Sequence, residues 1–321
     1  MSMPAADIIV VGASAGGVEA LQRLVSHFPP DLPAAVFIAL HLPAWGLSKL
    51  PAILMRSGPL PASHPQDGTP IRNGHIYVAP PDQHLLVNEG YLQLSAGPRE
   101  NRQRPAVNVL FRSAALAYGP RVIGVVLTGA LDDGTSGLWE IKQHGGVAIV
   151  QDPSDALFPG MPRSALENVP VDHIAPLDQL ASLLVTLAGQ PVSSQSEKER
   201  TFMEAQRTRL TCPECRGPIS KSEEGTVIEF SCRVGHRYSP ETFLAAHADT
   251  RERTLWAAVV ALEEGADVAR ELASRSSIAL KSRLEREAGD NEIAAGKIRN
   301  MLSQLTLANS QHMLRESEEH T

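Results

Sequence analysis

The apolar positions of this chain come in two alternating forms. Short unbroken runs, Ile8–Val11 and Ala35–Leu40, are each followed by a stretch with helical spacing, Val18–Val25 and Leu47–Met55. His75–Val78 comes next, then a hairpin pattern across Leu85–Val87 and Tyr91–Leu94 and a helix over Val107–Tyr118. The run Val122–Leu127 precedes a helix near Ser136–His144, Val147–Val150 follows, and a helix over Leu177–Leu187 closes the region. Strands alternating with helices predict an α/β domain, a mostly parallel doubly wound sheet with helices on both faces. Runs as continuous as VIGVVL fit strands covered on both sides.

The pattern changes at Gln190. Residues 1–190 carry 26 charged side chains and residues 191–321 carry 39. A core-forming domain is therefore expected over 1–190, then a solvated linker over 191–209, a small cysteine-containing module over 210–240 and a helical tail over 241–321. In the tail, Leu255, Val259, Leu262, Ala266, Ala269 and Leu272 recur at helical spacing, and a second pattern runs from Leu284 to Leu305. A break near Ser276–Ser277 predicts an antiparallel helical hairpin, read as an interaction element. The last dozen residues are polar and expected to fray.

The glycine-rich stretch Gly12-Ala13-Ser14-Ala15-Gly16-Gly17 lies between the first strand and the first helix. Such a turn cradles a phosphate, presents a nucleophile, or is merely structural. A dinucleotide fingerprint needs glycine where Ser14 stands and an acidic residue after the second strand, where Leu40-His41 stand instead. A phosphate loop would need Gly-Lys-Ser/Thr, which is missing. Gly-x-Ser-x-Gly is present, and that motif exposes a serine hydroxyl on a sharp elbow. A serine nucleophile needs a base and an orienting carboxylate, and sites of open parallel sheets gather at strand carboxyl ends. His41 and Asp133 both follow apolar runs there, although His41 alone reads as a loop residue and Asp132-Asp133 as a helix cap. The order Ser, His, Asp disfavours the α/β-hydrolase fold.

Several segments in this order resemble the chemotaxis-receptor methylesterases of the CheB type: VGASAGG, HLP, GHIYVAPPDQHLLV, RPAVNVLFRSAA, GVVLTGALDDGTSGL and GGVAIVQDPSDALFPGMPRSAL, across residues 7–188. The resemblance implies a Ser-His-Asp esterase that hydrolyses glutamate γ-methyl esters on the cytoplasmic helices of chemoreceptors, with deamidation of glutamines as a second activity. It implies Ser14 as nucleophile, His41 as base and Asp133 as acid, chosen over Asp132 because the family's acid directly precedes glycine. Backbone N–H groups at Ala15 and Ala130 are the expected oxyanion donors, and no cofactor is expected for catalysis. Two residues depart from the family pattern: Ala15 stands where many relatives have Thr, and Ala130 where many have Met. The first strand starts near residue 7, so the likeness is to members without a fused receiver domain. Expected partners are the methylated receptor domain and other chemosensory proteins.

Cys212-Pro-Glu-Cys215 and Cys232-Arg-Val-Gly-His236 have the spacing of a Cys₃His zinc ribbon; a reduced thiol pair or redox motif is the alternative. With four protein ligands the zinc would be structural and would supply the folding energy of a module too small for its own core. Some CheB-type relatives carry a similar CPxC…CRxGH element. Chelation is then expected to unfold the module while an isolated 1–190 segment stays active.

Composition narrows the rest. Net charge is −7 with no basic stripe, which argues against nucleic acid. No apolar segment approaches the ~20 residues of a membrane span, and MSMPAAD lacks a basic signal-peptide start. Three clustered cysteines and no disulfide framework fit the cytoplasm. His64, His75, His84, His144 and His173 read as structural or solvated. Arg102, Arg104 and Arg112 read as contacts for an acidic receptor surface or as ordinary solvated charge. The alternative to an esterase is an inactive esterase scaffold that recruits partners through its ribbon and helices.

Overall fold

The computed structural model describes residues 4–42, 48–192, 206–275 and 277–318, with backbone alone over 305–318. Most of the expected 191–209 linker, Pro43 after His41, Leu47 of the second expected helix and Ser276 at the expected helix break lie outside the described residues. So do residues 319–321 of the polar end. The chain divides into two compact units, 1–244 and 245–321.

The first unit is built on seven strands: β1 (Ile8–Ala13), β2 (Ala35–Leu40), β3 (Ala62–Ser63), β4 (Ile76–Val78), β7 (Val122–Val126), β8 (Val147–Gln151) and β9 (His173–Ala175). Between β4 and β7 come β5 (His84–Asn88) and β6 (Tyr91–Ser95), an antiparallel hairpin outside the main sheet. The main sheet has the order β3-β4-β2-β1-β7-β8-β9, and every neighbouring pair is parallel. Among the described residues, six α-helices complete the wrapping: α1 (Gly17–Ser26), α2 (Leu50–Ser57), α3 (Val107–Tyr118), α4 (Thr135–Gln143), α5 (Gly160–Asn168) and α6 (Leu177–Leu187).

Successive strand residues point to opposite faces. In β1, Ile9 and Val11 therefore join one core with Leu21 and Leu24 of α1, Leu54 of α2 and Leu180 and Leu184 of α6. Ile8 and Val10 join the other with Leu110 and Phe111 of α3, Leu138 and Ile141 of α4 and Met161 of α5. Two buried faces explain why the run has no polar alternation. β1 lies at the centre, with β2 on one side and β7 on the other. It is where the winding of the sheet reverses, and in open parallel sheets ligand sites form at the carboxyl ends of strands at such a switch.

A second sheet in this unit is antiparallel, in the order β10 (Gln206–Thr211), β11 (Pro218–Glu224), β12 (Val227–Cys232) and β13 (Arg237–Tyr238). It carries the cysteines and leads into α7 (Pro240–Ser274).

The second unit holds the rest of α7 and α8 (Ile278–Glu318), which form a helical hairpin. Ala266, Ala269 and Ala273 meet Leu284 and Ala288 along its seam. Arg270–Glu292 at 2.5 Å and Arg299–Glu263 at 2.6 Å flank it, and their opposed numbering is that of antiparallel helices.

Some boundaries differ from the pattern-based reading. α2 starts at Leu50 because Pro51 occupies its first turn, where proline's missing N–H costs nothing. The helix α8 runs on to Glu318, since half or more of its last fourteen residues, Leu, Glu, Ala, Met, Gln and Arg, are good helix formers.

Candidate active site and cysteine–histidine cluster

Ser14 follows the last residue of β1. Its N–H donates to Thr128 O at 3.0 Å, and Gly17 N–H returns to Ser14 O at 2.9 Å, so the chain turns at once into α1. Two glycines make that turn possible. Gly16 has φ +73°, in the left-handed region that side chains resist. At Gly12 a Cβ would fall inside the Val107 side chain, so glycine lets α3 lie directly on the strand.

His41 follows β2, and Asp133 lies in the turn between β7 and α4. These strands flank β1 in register, with Ala13 opposite Leu40 and Gly12 opposite Val126. The three side chains meet as one hydrogen-bonded line: His41 Nδ1 lies 3.0 Å from Ser14 Oγ, and His41 Nε2 lies 2.7 Å from Asp133 Oδ2. The ring thus presents Nδ1 to the serine and Nε2 to the acid, the reverse of the serine-protease arrangement.

Asp133 is buried, 2% exposed, and surrounded by donors. Val107 N–H reaches Oδ2 at 2.8 Å, while Asn108 N–H (3.2 Å), Gly134 N–H (3.1 Å) and Asn101 Nδ2 (3.1 Å) reach Oδ1. Val107 and Asn108 open α3, so the carboxylate occupies the positive end of that helix. Burial pushes its pKa upward. The hydrogen bond and charge of His41 and the two helix N–H groups outweigh this, leaving the carboxyl below its ordinary value.

Asp132, adjacent in sequence, faces elsewhere. Its Oδ1 accepts from Thr242 Oγ1 at 2.6 Å and its Oδ2 from Glu241 N–H at 3.1 Å. Burial pushes its pKa up, aided by the charge of Asp133 and opposed by the Thr242 and Ser239 hydroxyls and the Glu241 N–H. Neighbouring carboxyls whose environments push them apart have different jobs available to them.

Around the serine, two backbone donors are already engaged: Ser14 N–H on Thr128 O, and Gly129 N–H on Phe158 O at 2.8 Å. Ala15 and Ala130 are the next residues along each turn. Thr128 ties the two turns together, donating its hydroxyl to Ala15 O at 3.0 Å and accepting Phe158 N–H at 2.9 Å. Leu131 on the β7–α4 turn and Leu157 and Phe158 on the β8–α5 loop are exposed apolar side chains.

The sequence reading missed Asn101, Asn108 and Thr128. Asn108 Oδ1 accepts Gly134 and Gly137 N–H at 3.0 and 2.8 Å, fixing the start of α4. A polar residue at the head of an otherwise apolar helix pattern was the only signal for it. Arg112 was read as a surface group, but its guanidinium forks onto Glu100 at 2.9 and 3.0 Å and also meets Glu229 at 3.3 Å. Arg104 is engaged by Asp82 at 2.8 Å and by the Ala96 and Gly97 carbonyls. His84, 3% exposed, lies between Pro98 O and Ala106 N–H.

Cys212, Cys215, Cys232 and His236 converge, with their donor atoms all within 4.8 Å of one another. Cys215 and Cys232 sulfurs are 3.6 Å apart, and His236 Nδ1 lies 3.7 and 3.5 Å from Cys212 and Cys232 sulfurs. A disulfide would need about 2.05 Å. Tetrahedral ligands at about 2.3 Å from a zinc ion are separated by about 3.8 Å, close to these edges. Tight turns present the thiols, closed by Arg216 N–H to Cys212 O and Gly235 N–H to Cys232 O, both 2.9 Å. Glu214 lies 3.2 Å from His236 Nε2, leaving Nδ1 for the cluster. An outer carboxylate of this kind typically orients a metal-bound histidine. The cluster could hold a metal ion.

Comparison with known proteins agrees over the main sheet and its helices. The sequence profile of the CheB methylesterase family matches residues 9–184. A protein-glutamate methylesterase/protein-glutamine glutaminase of Methanosarcina mazei is 39% identical over 189 residues, covering 56% of this chain and 52% of that protein. One from Xanthomonas euvesicatoria is 40% identical over 187 residues, covering 57% and 52%. This chain therefore spans about half the length of those relatives. A putative protein-glutamate methylesterase/protein-glutamine glutaminase of Leptospira interrogans is 37% identical over 182 residues, 56% of this chain and 94% of that one. The crystal structure of the Thermotoga maritima CheB methylesterase catalytic domain superposes with a TM-score of 0.56 at 30% identity, over 58% of this chain and all of that one. With the strand-end serine, histidine and aspartate on a fold of this kind, the chain belongs to the CheB methylesterase family.

Proposed function

We propose that this protein hydrolyses glutamate γ-methyl esters on the cytoplasmic helices of chemoreceptors, giving glutamate and methanol in a chemosensory adaptation pathway. The observation that carries the reading is the continuous Ser14–His41–Asp133 hydrogen-bonded line at the carboxyl ends of three adjacent strands. The names of the relatives supply the substrate class.

His41 holds its proton on Nε2, donated to Asp133, and keeps Nδ1 free to accept. As Ser14 Oγ attacks the ester carbonyl, Nδ1 takes the hydroxyl proton, and Asp133 stabilises the resulting imidazolium. The carbonyl oxygen becomes an oxyanion, for which the Ala15 and Ala130 N–H groups are the proposed donors. The tetrahedral intermediate collapses, the C–O bond to methoxide breaks, and Nδ1 returns the proton to give methanol. Water, deprotonated by the same nitrogen, then cleaves the acyl-enzyme and restores Ser14. The same cycle with ammonia as leaving group would deamidate glutamine. Every group in it is a side chain or a backbone amide. The exposed Leu131, Leu157 and Phe158 offer apolar surface beside Ser14 on which a helical substrate can rest.

The four-ligand cluster is proposed as a structural zinc site held by Cys212, Cys215, Cys232 and His236, since a closed protein shell leaves no position for a reacting water. None of the described helices is long and apolar enough to cross a membrane. The proposed location is the cytoplasm, where the receptor helices lie.

The test is methanol release from a methylated receptor cytoplasmic domain, comparing wild type with Ser14→Ala. Release by wild type that disappears in the variant supports the esterase and its nucleophile. No release from well-folded wild type would favour the scaffold.

A further inference from the structure

One buried neighbour of Asp133 is unused by that cycle. Asn101, 3% exposed, donates from Nδ2 to Asp133 Oδ1, and its Oδ1 accepts both the N–H (2.8 Å) and the hydroxyl (2.9 Å) of Ser239. Its backbone N–H reaches Arg237 O at 2.8 Å. The residue stands at φ 51°, a left-handed conformation that asparagine tolerates better than most side chains, and this aims the amide between the two partners. Ser239 belongs to the segment leaving the cysteine–histidine module, three residues after His236. That segment also grips Asp132 through Thr242 and Glu241.

The module is seated at two further places. Glu229 of β12 joins Arg112 of α3 to Arg237 of β13, at 3.3 and 2.7 Å. The β11–β12 turn lies against the catalytic layer, with Gly225 on the Trp139 ring and Thr226 Oγ1 donating to Asn168 O at 2.5 Å. These contacts all lie within the first compact unit.

We propose that Asn101 is a positioning residue for Asp133 and that the cysteine–histidine module, through Ser239, holds Asn101 in place. The module is then part of the catalytic unit, although none of its residues reaches the reacting atoms. The inference rests on the esterase reading and reverses the expectation that residues 1–190 would be active alone. The physical reason is that Oδ2 serves His41 only while Oδ1 is held. Asn101 is the one side-chain donor on Oδ1 among the described residues, and its other end is fixed by a strand exit remote in sequence.

The experiment uses the full chain. Asn101→Gly removes the side chain and keeps the left-handed backbone; Ser239→Ala removes the hydroxyl, and Ser239→Thr keeps it. Two quantities are read: kcat and KM for methanol release, and the His41 ring resonances by ¹⁵N-histidine NMR, which need no substrate. Asn101→Gly is expected to lower kcat roughly 10- to 100-fold, the range for one hydrogen bond to a charged group, at unchanged KM. Its His41 Nε2–H resonance should shift. Ser239→Ala should move both readouts in the same direction by less, and Ser239→Thr should restore them. Should Asn101→Gly fail to fold, the serine pair carries the test. Asn101→Gly and Ser239→Ala proteins with kcat within twofold of wild type and unchanged His41 resonances would overturn the proposal, even if their melting temperatures fell. Absence of methanol release from wild type would sink the esterase reading, while the His41 resonances would still report on the positioning.

Discussion

Replacing Asp133 by asparagine preserves shape and removes one acceptor. The wild-type carboxylate meets five donors: His41 Nε2 and Val107 N–H at Oδ2, and Asn101 Nδ2, Asn108 N–H and Gly134 N–H at Oδ1. An amide nitrogen at the Oδ1 position would confront three of these. At Oδ2 it confronts two, and one of those can yield, because imidazole can move its proton to the other nitrogen. The amide oxygen therefore takes the Oδ1 position, and His41 becomes the Nδ1–H tautomer. That proton points at Ser14 Oγ, and the ring can no longer accept from it. The expected loss is about 10⁴-fold in kcat, or ~5.5 kcal/mol of barrier. Val107 N–H is left facing a donor, which costs about 1–3 kcal/mol of stability and lowers Tm by about 2–10 °C. Methanol release measures the first effect, thermal unfolding the second, and ¹⁵N-histidine NMR the tautomer. A folded variant that turns over within tenfold of wild type, or keeps its proton on Nε2, refutes the reasoning.

Three other perturbations follow from the same geometry. Gly12→Ala puts a methyl into the Val107 side chain and should cost about 1–3 kcal/mol by overpacking; an unchanged denaturation midpoint would count against the close approach of α3 to β1. The purified chain should carry one zinc per molecule, and chelation should abolish amide-exchange protection across residues 206–238; metal analysis finding none would remove the zinc assignment. Asp132, with its pKa raised by burial, makes the folded state hold a proton more tightly than the unfolded chain, so its contribution to stability falls as pH rises through the raised value. Asp132→Asn lacks that titration, so its Tm relative to wild type should climb as pH rises above the ordinary aspartate value of about 4; a constant difference would contradict the shift.

Much of the first unit could be read from periodicity because its cores are made by regular elements. Val107–Tyr118 and Leu177–Leu187 show helical spacing, and Ile8–Val11 and Ala35–Leu40 read as strands because both of their faces are buried. β3 and β9 have two and three residues, too few for any period, and α5 opens on Gly-Met-Pro, which signals a turn. The choice between Asp132 and Asp133 was not written in local pattern; it needed a motif resemblance. Asn101 was illegible for a deeper reason. It sits in the polar loop ENRQR, and its meaning comes from Ser239, 138 positions away. A composition shift marks where a module begins but not what it leans on.

The placement of the triad on three neighbouring parallel strands also bears on how the protein reaches its working state. Parallel neighbours cannot be joined by tight turns, so each pairing waits for a crossover to close. Ser14 meets His41 across 27 residues and His41 meets Asp133 across 92. No short contiguous fragment can assemble the site, and such non-local pairings form late and slowly. After dilution from denaturant, helical circular dichroism should therefore return well before turnover does. Recovered activity would mark the moment when the centre of the sheet closes.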